Sequence, residues 1–77
     1  MAKVEIYSTP TCTFCHLAKQ YFSDNGVEYT EYDVAADESK RAEMVDKSGQ
    51  MGVPVISIDE TVLVGFEEGK VKEALGL

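Results

Sequence analysis

Lys3-Val4-Glu5-Ile6-Tyr7-Ser8 alternates apolar with polar or charged residues and is rich in strand formers, so it reads as a β-strand. Ser8-Thr9-Pro10-Thr11 interrupts it. Pro10 forbids a helix through itself, and Thr11 is expected to cap one that begins just after. From Thr13 to Asp24 the period changes: Phe14, Leu17, Ala18, Tyr21 and Phe22 recur at steps of three and four, predicting one apolar helical face. Asn25-Gly26 ends that helix, because glycine enters the left-handed conformation at little cost.

Val27 to Val34 follows as a second strand with β-branched and aromatic content. A helix between two strands is a βαβ unit, which predicts parallel pairing. Asp37-Glu38-Ser39 opens a further helix with acids that complement its dipole. It carries Ala42, Met44 and Val45 and stops at Ser48-Gly49. Val53 to Ile58 and Thr61 to Val64, joined by Asp59-Glu60, predict an antiparallel hairpin. Glu67-Glu68 starts a short last helix through Val71, Ala74 and Leu75. The order β-α-β-α-β-β-α predicts an α/β protein: a mixed sheet of about four strands with three helices spread over both faces.

Composition narrows the function. Seventy-seven residues, 44% hydrophobic and 27% charged, predict a single globular domain over residues 1–77. Seven basic against fourteen acidic side chains give a net charge of −7, which argues against nucleic acid and anionic membrane surfaces as partners. No apolar run approaches the roughly 20 residues that span a bilayer. The opening segment Met1 to Ile6 has an acid inside its apolar patch and no leader-like core, so a cytoplasmic location is expected.

The chemistry concentrates in Cys12-Thr13-Phe14-Cys15, the only cysteines in the chain. A disulfide between them closes too short a loop to restrict the unfolded chain much, so the pair is expected to be chemical rather than structural. It falls between the first strand and the first helix. Unpaired N–H groups and the positive end of the dipole there favour an anion, here a thiolate at Cys12. One turn on, Cys15 is placed to attack a mixed disulfide on Cys12. Cys12 is thus the expected exposed nucleophile and Cys15 the more buried resolving thiol.

Other readings compete. Two cysteines can be simple buried hydrophobes. With His16, the only histidine, the motif also matches the c-type haem attachment pattern. Zinc lacks a fourth ligand from one chain. A dimer bridged by an iron–sulfur cluster is the binding-protein alternative. His16 itself is expected on the helix surface beside the site. Gly49, Gly52 and Pro54 suggest a loop whose backbone approaches something closely, and a cis Val53–Pro54 bond facing the cysteines is expected. Val53 would then pair through its backbone with an extended thiol peptide. Phe66 is equally consistent with a core residue and with an exposed platform.

Tyr7-Ser8-Thr9-Pro10-Thr11-Cys12-Thr13-Phe14-Cys15, Gly52-Val53-Pro54-Val55 and Gly65-Phe66 together make the chain similar to the glutaredoxin family over nearly its whole length. The nearest resemblance is to the short glutaredoxin-like proteins and the redoxins that feed ribonucleotide reductase. It implies a thioredoxin fold, a cis proline at Pro54 and disulfide reduction through Cys12 and Cys15. The implied substrate-binding surface is Thr11, Thr13, Phe14, Gly52, Val53, Pro54, Gly65, Phe66 and Glu67. The resemblance implies no bound cofactor, with glutathione a candidate co-substrate. The implied partners are disulfide-containing proteins and a reductase, and the chain is expected to be a monomer. Thr9 stands where glutathione-binding members carry a lysine, and Glu67-Glu68 where a cysteine or serine and an aspartate often hold glutathione's amino group. Neutral Thr9 predicts a weaker grip on glutathione's carboxylate and makes a thioredoxin-reductase-type flavoenzyme the competing reductant.

Overall fold

The computed structural model describes residues 3–50 and 52–77. Met1 and Ala2, the start of the segment read for a leader, lie outside it. The elements are β1 (Val4–Ser8), α1 (Thr13–Asp24), β2 (Thr30–Asp33), α2 (Glu38–Ser48), β3 (Val55–Ile58), β4 (Thr61–Val64) and α3 (Glu68–Leu75). The strands form one sheet in the order β2-β1-β3-β4. β1 and β2 run parallel with α1 as their crossover, whereas β3 is antiparallel to both β1 and β4. The predicted order, the parallel pair and the closing hairpin are all present.

Side-chain alternation along the central strands divides the interior in two. Val4, Ile6, Ile56 and Ile58 face α1 and α3, packing on Ala18, Phe22 and Val71. Tyr7 and Val55 face the other way, with Val34 and Met44, so α2 covers the second face. Fully burying a large apolar side chain contributes about 1.5–3 kcal/mol, and both layers rest on such residues.

β1 alternates apolar with polar residues, yet all five are buried, because a central strand is covered on both sides. Glu5 is therefore interior. Its Oε2 accepts the Tyr32 hydroxyl at 2.7 Å, and Lys47 Nζ lies 3.8 Å from Oε1. Burial of an acid is tolerable when it is satisfied in this way.

The buried face of α1 is Cys15, Ala18 and Phe22, while Phe14 is 59% and Leu17 48% exposed. The helix is rotated so that the second cysteine points inward and the aromatic between the cysteines points out. The second strand is also shorter than expected, Thr30–Asp33 in place of residues 27–34. Val27 and Tyr29 still pack against the core without pairing.

The register puts several loops at one end of the sheet. Tyr7 is opposite Val55, and Val55 opposite Val64. The chain leaving β1, the chain entering β3 and the chain leaving β4 therefore meet there.

Candidate active site

Thr9-Pro10-Thr11-Cys12 forms a turn in which Cys12 N–H donates to the Thr9 carbonyl at 3.3 Å, with proline at the second position where its fixed φ fits. Cys12 is the N-cap of α1, with extended backbone (φ −86°, ψ 113°). Thr11, the expected cap, is exposed and lies one residue too early. The cap acceptor is instead the sulfur: Cys15 N–H donates to Cys12 Sγ at 3.2 Å. An orphan amide of the first helical turn is thus aimed at the first thiol, beside the positive end of the dipole. Oxygen caps do this in most helices; here the capping atom is also a nucleophile.

Cys15 is wholly buried, and Cys12 half-buried; both thiols are free. Burial, followed by the contact with Cys12, pushes the Cys15 thiol up to about 12. The Thr9 backbone and the Lys19 charge oppose that shift. The two cysteines therefore occupy different environments within one helical turn, one reachable from solvent and one kept protonated.

His16 lies exposed on α1, as expected, and its Nε2 is 3.0 Å from the Pro10 carbonyl oxygen. The Pro10 carbonyl only accepts, so Nε2 is the donor to the turn. The peptide bond between Val53 and Pro54 is cis. Pro54 is buried at the entrance of β3, and its carbonyl accepts from Gly65 N–H at 2.8 Å. This joins two of the three expected segments, while β-sheet register brings the cysteine turn to the same end. Among the described residues, Val53 makes no backbone hydrogen bond.

Gly65 has φ +79°, and a Cβ built on it would meet nothing within 4 Å. Conformation, not crowding by the chain, demands glycine there. Gly49 serves as the left-handed cap of α2 rather than as a close-approach position. Gly52 is exposed. Phe66 is half-buried, its ring 5.9 Å from that of Tyr21, and it packs against the α1–α3 core. Phe66 thus stands between the two readings, packed on the core and partly exposed. Thr13 and Phe14 are exposed on the first turn of α1. Glu67 caps α3 through its backbone position, makes no side-chain cap bond, and pairs with Lys70 at 3.4 Å.

Sequence reasoning missed one cluster. Glu31 Oε2 accepts the Ser8 hydroxyl at 2.8 Å and Lys19 Nζ at 2.7 Å. These residues, with Pro10, His16 and Asp33, line a groove of about 340 Å³ between α1 and β2. Lys19 is four residues after Cys15, a spacing visible in the sequence. Glu31 is not: it reaches α1 only because it stands beside Ile6 in the parallel register.

A C-x-x-C pair at the mouth of a helix, with a cis proline at the same end of a four-stranded mixed sheet, defines a redoxin of the thioredoxin fold. The chain belongs to the glutaredoxin family, whose model matches residues 4–63. It is 40% identical to glutaredoxin 3 of Escherichia coli K12 over 76 residues, covering 99% of this chain and 92% of that protein. It is 39% identical to a glutaredoxin-like 8.6 kDa protein of the Clostridium pasteurianum rubredoxin operon, covering 94% and 96% of the two chains. A crystal structure of a mutant of the thioredoxin-like protein BC3987 superposes with a TM-score of 0.91 at 32% identity, over 99% of this chain and 97% of that one. The protein is a thiol–disulfide oxidoreductase. Among the described residues no helix is long and apolar enough to cross a membrane.

Proposed function

We propose that Cys12 attacks a substrate disulfide, that Cys15 resolves the resulting mixed disulfide, and that an external reductant restores the dithiol. One observation carries this reading: Cys12 Sγ is the N-cap acceptor of the Cys15 amide, while the Cys15 thiol is buried. The thiolate is the form that attacks, and the Cys12 sulfur sits at the mouth of α1, reachable from solvent and facing the Cys15 amide. Protein and small-molecule disulfides are the proposed substrates. The backbone of Val53, which makes no hydrogen bond among the described residues, suits an extended segment that would add as a short strand beside Pro54. Thr11, Thr13, Phe14, Gly52, Gly65, Phe66 and Glu67 complete the proposed substrate surface.

Glutathione and a thioredoxin-reductase-type flavoenzyme are the two candidate reductants. Glutathione brings two carboxylates, and the ends of the site offer it neutral Thr9 and acidic Glu67, whose neighbouring Lys70 is already paired. These groups favour the flavoenzyme. The near-complete overlap with bacterial relatives supports one domain over residues 1–77. We take it to act as a cytoplasmic monomer with no bound cofactor.

A coupled assay tests the reading, with NADPH oxidation followed in two arms: glutathione with its reductase, and a thioredoxin reductase alone. Faster turnover in the second arm is expected; the reverse order would reassign the reductant. Cys12→Ser is expected to abolish turnover in both arms. Cys15→Ser is expected to accumulate mixed disulfides visible by intact mass. Undiminished turnover by Cys15→Ser on protein disulfides would remove the resolving role.

A further inference from the structure

The dithiol route leaves one energetic problem. Resolution needs the Cys15 thiolate, and Cys15 is the most thoroughly buried group of the site. Once Cys12 is tied up in a mixed disulfide it carries no charge, so the helix mouth alone faces the buried thiol. A cation placed near Cys15 would lower the cost of taking off its proton.

α1 carries a single lysine, Lys19, four residues beyond Cys15, where side chains of successive turns are neighbours. Lysine has a long, rotamer-rich stem and would ordinarily spread its charge over solvent. Here it is held. Its ammonium donates to Glu31 Oε2 at 2.7 Å, and the same oxygen accepts the Ser8 hydroxyl at 2.8 Å. Ser8 is 1% exposed at the end of β1, the strand that leads into the cysteine turn, so it is a fixed anchor. Ser8, Glu31 and Lys19 thus form a chain from β1 through β2 to the flank of α1.

We propose that Lys19, fixed by Glu31 and Ser8, is a positioning residue for the resolving half-reaction, holding a positive charge where it favours the Cys15 thiolate. The inference rests on the dithiol reading given above. In the step itself, Cys15 gives up its proton to solvent, and its sulfur forms a bond to Cys12 Sγ. The bond between Cys12 and the substrate sulfur breaks, and the substrate thiolate leaves with the electron pair and takes up a proton. The substrate is reduced, and Cys12 and Cys15 are oxidised to a disulfide.

The electrostatics agree with the geometry. Burial is the main reason the Cys15 thiol is pushed up, with the Cys12 contact adding to it, and the Lys19 charge works against both. The Glu31 hydrogen bond is the main reason Lys19 is raised, with the Glu31, Tyr29 and Cys15 charges adding smaller amounts. His16 and Asp33 line the same groove.

The test is stopped-flow reduction of 5,5′-dithiobis(2-nitrobenzoate) by the full-length reduced protein in excess. Attack by Cys12 releases one coloured thiolate, and resolution by Cys15 releases the second. In Lys19→Met the rate of the second phase relative to the first is expected to fall roughly tenfold at neutral pH. Its pH midpoint is expected to rise by about one unit, the equivalent of that factor. Lys19→Arg is expected to restore both. An unchanged phase ratio and midpoint in Lys19→Met would overturn the proposal, as would a loss that Lys19→Arg does not rescue. Lys19→Gln, with folding checked by circular dichroism, serves if Lys19→Met is unfolded. Release of only one equivalent by the parent protein would instead overturn the dithiol reading itself.

Discussion

At the scale of single residues, one turn of helix gives two chemically identical side chains opposite roles. Cys12 caps the helix and meets solvent; Cys15 is turned into the core. Iodoacetamide at pH 7.5 is therefore expected to label Cys12 and spare Cys15, read by peptide mass. The same burial ties stability to alkaline pH. The folded Cys15 pKa, about 12, lies above its ordinary 9.0, so the folded state favours the protonated thiol. That contribution is fully present below pH 9 and is lost as pH rises toward 12. The melting temperature of the parent is expected to fall more steeply between pH 9 and 11 than that of Cys15→Ala. Parallel slopes would mean that Cys15 ionises as readily folded as unfolded.

α2 combines little fully buried apolar surface with several polar contacts to the sheet. Met44 is its one buried side chain, and much of its attachment to the sheet is polar. Lys47 Nζ donates to the Tyr7 hydroxyl at 3.0 Å, and Lys40 Nζ stands 4.2 Å over the Tyr32 ring. Polar contacts of this kind contribute less than a packed apolar face, since they replace bonds to water. Met44→Ala is accordingly expected to cost about 2–5 kcal/mol by denaturant unfolding, most of the apolar anchorage of the helix. A loss under 1 kcal/mol would show that the polar contacts hold α2 unaided. At this same scale the sequence reading was good for existence and order, and weaker for faces. Period-three-and-four spacing located α1, but Phe14, Leu17, Tyr21 and Phe22 are all apolar, and periodicity alone does not say which of them meets the sheet. Glu5 was similarly opaque, since its partners Tyr32 and Lys47 come from β2 and α2.

Over the whole molecule the acidic excess sets how partners approach. A net charge of −7 on a chain this small repels acidic surfaces and steers basic ones toward it. A disulfide peptide flanked by lysines is expected to be reduced faster than one flanked by glutamates at 20 mM salt. The gap should shrink by 0.5 M, where the screening length falls to a few ångströms. A salt-independent ratio would assign the preference to direct contacts.

The linear order of residues determined the element sequence, the cysteine pair at a helix start and the charge, because periodicity, capping chemistry and composition are local properties of the chain. It also marked Pro54 as anomalous, since a proline at the mouth of a central strand conflicts with strand pairing. Tertiary structure decided what depends on residues far apart in sequence meeting in space. The rotation of α1 buries Cys15 and exposes Phe14, and Phe66 packs half-buried with its ring 5.9 Å from that of Tyr21. The register of β1 with β2 carries Glu31 to Ser8 and Lys19. Such meetings are fixed by how the sheet and helices pack as a whole, and no window of neighbouring residues contains that information.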